Sequence, residues 1–242
     1  MRLPPSPHPW TLGVRDAIAL QRRLAGEVRS RLPPGAPLRY VAGVDAAFSG
    51  DGETVIAACV LWDLLEGSVV EWRSAVRRVR FPYVPGLLSF REAPAVLAAL
   101  RKLRAEPDAI LCDAHGRAHP RRFGMACHVG LLAGRPTVGC AKSRLVGQHE
   151  DPPVARGSWR PLLDGRRVIG SVLRTQEGVR PVYVSVGHLI DLAAARRLVL
   201  ACAVRYRLPE PSRLADQLVR AIKAGRAADF AAMVTVRVSK RH

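Results

Sequence analysis

The stretch Ala109-Ile-Leu-Cys112-Asp113-Ala-His115-Gly-Arg-Ala-His119-Pro-Arg121-Arg122-Phe-Gly-Met125-Ala-Cys127-His128-Val-Gly130 decides how the rest of the chain is read. Its first four residues are short and apolar, as in a parallel strand buried on both faces, so Asp113 falls where that strand runs out. Open α/β sheets hold their ligands at that edge. An acid there, followed at once by a loop of histidines and arginines, suits a place where phosphate and metal meet and points to metal-assisted phosphodiester chemistry. Structural zinc is the competing use of Cys112, His115, His119, Cys127 and His128. It is disfavoured, because Cys112 belongs to the buried strand and no paired finger spacing occurs.

Composition sets the partner. The chain has 242 residues, 48% of them hydrophobic, which is enough to bury one core as a single domain over residues 1–242. Residues 1–9 are expected to be a mobile lead-in and 226–242 a basic tail without fixed structure. Thirty-eight Lys and Arg stand against twenty Asp and Glu, a formal charge of +18 spread along the chain. That balance favours nucleic acid as partner. A membrane is excluded as a span, since no run of about 20 apolar residues occurs. The five cysteines lie mostly in apolar runs, form no C-x-x-C pair and are odd in number. They read as reduced core residues of a cytoplasmic protein, and the start carries no hydrophobic signal region.

Outward from the central stretch, apolar spacing predicts an amphipathic helix between Leu12 and Leu32. Three β-rich runs follow, Arg39 to Phe48, Thr54 to Trp62 and Ser68 to Val79, joined by tight turns as an antiparallel meander. Asp45 sits inside the first among small and apolar neighbours. An acid in a strand interior must be hydrogen-bonded, paired or bound to a cation. Should that strand pair with the one ending at Asp113, both carboxylates face one spot, and a divalent cation removes their repulsion.

Phe81-Pro82-Tyr83-Val84-Pro85-Gly86 is a stiff extended loop with Tyr83 at its tip. It reads either as a wedge that holds open the gap left by an extruded nucleotide or as a rigid surface loop. Ser89-x-x-Glu92 resembles a capping box, but Pro94 is tolerated only in a first turn. The helix is therefore expected to begin near Glu92, leaving that carboxylate free to face the site. Pro136 to Ala141 is a second buried strand with Lys142 at the Asp113 edge, placed to neutralise phosphate. Residues 146–165 read as polar loop with an exposed Trp159. Strands are expected at Arg167 to Arg174 and Pro181 to Ser185. Asp191 is an N-cap for a helix from Leu192 to Ala203, and His188 just ahead of it is a candidate ligand holder or proton carrier. A last helix spans Pro211 to Ala224.

Together these motifs resemble the endonuclease V family, over nearly the whole chain from Trp10 to about Gly225. The resemblance rests on Val44-Asp45, on Phe81 to Glu92, on Asp113 to Gly130, on Val138 to Lys142 and on Val182 to His188, in the family's order. It implies an α/β, ribonuclease H-like fold: a mixed central sheet, an antiparallel three-strand meander plus parallel strands, flanked by helices. By the same resemblance, Asp45, Glu92 and Asp113 are metal ligands for Mg²⁺, with Mn²⁺ able to substitute, and Lys142, His188 and His115 support catalysis. Pro82, Tyr83, Val84, Pro85 and Gly86 form the wedge, beside a base pocket of Leu88, Ala114 and His119. The family usually has Gly where Ala114 stands, so an added methyl narrows the pocket wall. The implied activity is hydrolysis of the second phosphodiester 3′ to hypoxanthine in DNA, leaving 5′-phosphate and 3′-hydroxyl ends and opening repair. The chain is expected to act as a monomer. Two alternatives share the motifs: a ribonuclease H-like nuclease acting on inosine in RNA or on another repair intermediate, and a non-catalytic nucleic-acid binder that retains the fold.

Overall fold

The computed structural model describes residues 1–33 and 35–239, with side chains described up to residue 233. Eight strands form one sheet in the order β3-β2-β1-β4-β5-β8-β7-β6. The first three are the meander: β1 (Tyr40–Phe48), β2 (Thr54–Asp63) and β3 (Ser68–Arg78), all antiparallel. On the other side of β1 lie β4 (Ala109–Cys112) and β5 (Thr137–Ala141), both parallel to it. The sheet then turns antiparallel through β8 (Val182–His188), β7 (Arg167–Leu173) and β6 (Trp159–Asp164). This is the mixed sheet expected from the sequence.

Helices cover both faces. α2 (Leu88–Arg101) and α3 (Met125–Ala133) pack on the side chains of Ala42, Val44, Ile110 and Cys112. On the opposite face, α4 (Leu192–Cys202) packs on Val41, Leu111, Val138 and Val184, and α5 (Glu210–Lys223) packs on Ile56, Ala58 and Val60. Period-two alternation therefore places Asp45 and Asp113 on the α4/α5 face, since Val44 and Cys112 point the other way. α5 lies very close to β1. A Cβ added to Gly43 would come within 2.0 Å of the Pro211 carbonyl carbon, so only glycine admits this approach.

Several local expectations are corrected. α1 (Val14–Ala25) stops at Gly26 and does not run on to Leu32. α2 begins at Leu88, so Pro94 is inside the helix. The Ser89 hydroxyl makes no capping box because it is drawn to the buried His128 Nδ1, 2.9 Å away. Within the expected loop 146–165 lies β6, where the Arg196 guanidinium covers the Trp159 ring at 3.7 Å. β8 runs on to His188, which is thus a strand residue, and Asp191 caps α4 by accepting from the Ala194 amide at 2.8 Å. α6 (Ala227–Ser239) occupies most of the stretch expected to be unstructured; Lys240 to His242 lie outside the described residues. Among the described residues no helix is long and apolar enough to cross a membrane. The five cysteines are free and buried.

The lead-in is also packed down. The Met1 ammonium bonds the Leu103 carbonyl, and His8 is buried. His8 Nδ1 lies 2.8 Å from the Pro9 carbonyl, which can only accept, so Nδ1 carries a hydrogen. His8 Nε2 lies 2.9 Å from His128 Nε2, and His128 Nδ1 lies 2.9 Å from the Ser89 hydroxyl. Burial, with His8 alongside, pulls the His128 pKa down to about 3.

Gly43→Ala should overpack the β1/α5 contact and destabilise the fold by about 1–3 kcal/mol. A chain of this size loses roughly 2–4 °C of Tm per kcal/mol, which calorimetry would read. An unchanged Tm would mean that α5 can shift outward freely.

Candidate active site

Register brings the acids together. Val44 pairs with Cys112 across the parallel β1/β4 ladder, and the Asp113 amide donates to the Val44 carbonyl at 3.4 Å. Asp45 and Asp113 are thus the next residues on neighbouring strands, on the same face. Glu92, one turn into α2, enters from across the edge, and one small cleft is lined by Asp45, Glu92, Asp113 and Ala114. Lys142 follows directly after β5, and its Nζ lies 2.5 Å from Asp113 Oδ2.

Sequence reasoning missed a fourth acid. Asp216 on α5 has Oδ1 4.0 Å from Lys142 Nζ. It also pairs with Arg220 at i,i+4, the signature of an ordinary solvated helix face, which hid it. The close approach of α5 over Gly43 is what carries Asp216 to the edge, and no local pattern announces that.

Crowding shows in the electrostatics. Burial, followed by the Asp113 and Asp216 charges, pushes the Asp45 pKa up to about 7, against the opposing pull of Lys142. Burial and the Asp45 charge push Glu92 up to about 8, with Asp113 adding to the shift and Arg91 opposing it. Burial alone would lower Lys142. Its hydrogen bond to Asp113, with the charges of Asp113, Asp216 and Asp45, leaves it raised instead. Among the described residues no three His, Cys, Asp or Glu side chains stand in a closed ligating arrangement. The acids share the cleft, and Lys142 holds Asp113. This set suits a hard divalent cation, which takes oxygen ligands and would relieve the repulsion that now favours protonation.

The histidines divide. His115 lies beside the backbone of Ser143, next to Lys142; burial lowers its pKa, and its buried Nδ1 has no hydrogen-bond partner. His119 is buried, with its ring beside the Gly86 backbone and its Nδ1 accepting from the Arg121 amide at 3.2 Å, and burial, then Arg121, pulls it down to about 4. His188 is not at the site. It pairs with Thr137, at the opposite end of β5 from Lys142, because β8 runs antiparallel to β5. There its Nδ1 accepts from the Arg29 amide at 3.3 Å, and burial with the Arg29 charge sets its pKa at about 4.

The loop 81–86, expected to act as a wedge, is anchored at its base and bare at its tip. The Gly86 carbonyl accepts from Gln21 Nε2 at 2.9 Å and from Arg121 at 2.8 Å, and Gly86 has φ +79°. Phe81 and Leu87 are buried on either side, while Tyr83 is 72% exposed with the Arg91 guanidinium 5.7 Å from its ring. Pro82 and Pro85 are exposed and Val84 half-buried. Of the residues expected to line a base pocket, Leu88 is 40% exposed at the foot of the loop and His119 touches Gly86, whereas Ala114 lines the acid cleft itself.

Comparison with known proteins settles the family. Residues 22–217 match the family model described as Endonuclease V. The chain belongs to the Endonuclease V family. An Endonuclease V from Roseiflexus castenholzii is 50% identical over 215 residues, 89% of this chain and 96% of that protein. The crystal structure of Endonuclease V from Streptomyces avermitilis superposes with a TM-score of 0.85 at 48% identity, covering 89% of this chain and 96% of that one. A Ciona intestinalis Endonuclease V, solved in complex with a 23mer DNA containing an inosine, shares the fold at a TM-score of 0.78 and 24% identity, covering 88% of this chain and 97% of that one.

Raised carboxyl pKa values mean that the folded chain keeps protons the unfolded chain has released. In chelator, stability should therefore fall as pH climbs from the ordinary carboxylate range toward about 7 for Asp45 and about 8 for Glu92. Asp45→Asn should flatten that fall and raise Tm by a few degrees at about pH 8. Melts at about pH 5 and about pH 8 in EDTA read it, and a slope equal to the wild type's would contradict the crowding of these acids.

Proposed function

We propose that this chain is a metal-dependent endonuclease, a hydrolase that recognises deaminated purine in nucleic acid and cuts the second phosphodiester on its 3′ side, initiating DNA repair. The observation that carries the reading is the cleft shared by Asp45, Glu92 and Asp113, with the exposed Tyr83 loop leading directly into the helix that carries Glu92. Family membership and the inosine-containing DNA bound by the Ciona relative support the choice of lesion.

Asp45, Glu92 and Asp113 would hold Mg²⁺, or Mn²⁺ in its place, with Asp216 close enough to join them. When bound, the ion supplies polarisation of the phosphate and a lowered pKa for the attacking water. Lys142 Nζ, now on Asp113, is placed to neutralise charge that gathers on the phosphate oxygens. His115, neutral and with Nδ1 unpartnered, is placed to orient a water or the leaving oxygen. Water adds to phosphorus and the bond from phosphorus to the 3′ oxygen breaks, so one product ends in a 5′-phosphate and the other in a 3′-hydroxyl. Tyr83 would fill the gap left by the extruded base, and the His119–Gly86 contact fixes the wall against which that base is read. Separate stretches thus recognise and cut. The buried reduced cysteines suit the cytoplasm as the place of action.

Labelled DNA and RNA strands, single and double, with and without one inosine, test the proposal in Mg²⁺ and in EDTA. Asp45→Ala should lower cutting by roughly a thousandfold or more while binding survives. Cutting that persists in this variant would remove the metal assignment. Tyr83→Ala should weaken binding to the lesion by about tenfold and leave binding to undamaged strands unchanged, the size of loss expected for one lost stacking contact. Mg²⁺ added at about pH 8 should raise the Tm of the wild type and not of the Asp45→Asn, Asp113→Asn double variant, because an ion that binds only the folded acids stabilises by mass action.

A further inference from the structure

A second cavity, of about 550 Å³, lies on the far side of the loop 114–124 from the wedge. Ser30, Arg117, Arg122, Arg167, Val168 and Leu192 line it: three guanidiniums above an apolar floor, with Val168 57% exposed. Among the described residues no carboxylate lines it. Asp164 is already joined to Arg122. Among the described residues the Arg117 guanidinium bonds the Ser30 hydroxyl, at 2.8 Å, and Arg167 is exposed. The Arg122 side chain is held in place by a bond to the His119 carbonyl at 2.8 Å, on a backbone at φ +56° that a residue with a side chain seldom adopts.

One short turn thus faces two ways. His119 and Arg121 reach Gly86 of the wedge loop, while Arg117 and Arg122 face the cavity. Along the chain Asp113 stands at the acids, and His119 at the expected base wall falls between Arg117 and Arg122 at the cavity. We propose that this cavity is a subsite for the nucleotides 5′ to the lesion on the strand that is cut, its arginines taking one or two phosphates and its apolar floor a base or sugar face. The assignment of side rests on the proposed function: a strand whose scissile bond lies 3′ of the base at the acids continues past the base wall in the 5′ direction. Guanidiniums paired with few acids match phosphate in charge and in geometry. An exposed apolar floor matches the flat face of an unpaired base, which stacks without regard to sequence.

Fluorescence anisotropy with single-stranded DNA in chelator, where nothing is cut, tests this. Two strands are compared, one with about eight nucleotides and one with about one nucleotide 5′ of a single inosine. The Arg117→Gln, Arg167→Gln double variant should bind the long-flank strand about tenfold more weakly. Its dependence on salt should flatten by about 1.4 in log–log slope, two phosphate contacts at about 0.7 each on single strands. Binding of the trimmed strand should not change, and the Arg→Lys double variant should regain most of the loss. Equal loss on both strands, no loss on either, or a loss that follows the 3′ flank would overturn the subsite. Should Arg117→Gln lower the Tm, Arg167→Gln alone carries the test, since its side chain is exposed. The two readings fail differently. Wild type that ignores inosine but keeps the flank effect would sink the lesion specificity alone; wild type that cuts at inosine without a flank effect would sink the subsite alone.

Discussion

Ionised carboxylates gathered on one sheet edge repel, and everything in this architecture that matters for chemistry is a means of keeping them there. The parallel ladder between β1 and β4 is the main device: pairing Val44 with Cys112 leaves the chain no choice about where the next residue of each strand points. Glu92 is delivered separately, by a helix fastened at its first turn through Ser89 to His128. Asp216 arrives by a third route, on a helix that lies against bare backbone at Gly43. Lys142 on Asp113 and Arg220 on Asp216 are the cations bonded to this group among the described residues, and two cations do not balance four acids. The imbalance is stored where a divalent ion would be most strongly drawn.

The loop 114–124 is the second organising feature. It crosses the sheet so closely that a Cβ on Gly116 would meet the Val186 carbonyl oxygen at 2.1 Å, and one on Gly139 would meet the Gly116 amide at 2.5 Å. The Gly116 amide in turn donates to the Ser185 hydroxyl at 2.9 Å. Held down by backbone contacts, the loop has its side chains free for use, and successive residues serve the acids, the wedge and the arginine-lined cavity.

Much of this was legible beforehand because it depended on short-range rules. The apolar run before Asp113, the turns of the meander and the Asp191 cap are local signals, and each led to the right element. Failures came where tertiary contact overrode local chemistry. Ser89 and Glu92 spell a capping box, yet a buried histidine from another helix claims the serine. His188 has the look of a site residue in its Gly-His setting, but strand direction decides which end of a sheet a residue reaches, and β8 runs the other way. Asp216 was invisible for the converse reason: its i,i+4 partner gave it a sufficient surface explanation, and only the depth of α5 on β1 makes it a neighbour of Asp45.

The imidazole pair has a bearing on where the working unit begins. His8 and Trp10 precede residue 22, where the family match starts, yet His8 bonds His128 and Trp10 stacks on it at 5.3 Å. A fragment trimmed to the shared region would retain every acid and lose the clasp that steadies the helix bearing one of them. The amino-terminal decade is thus a structural brace for the carboxylate cleft, although it supplies none of the acids.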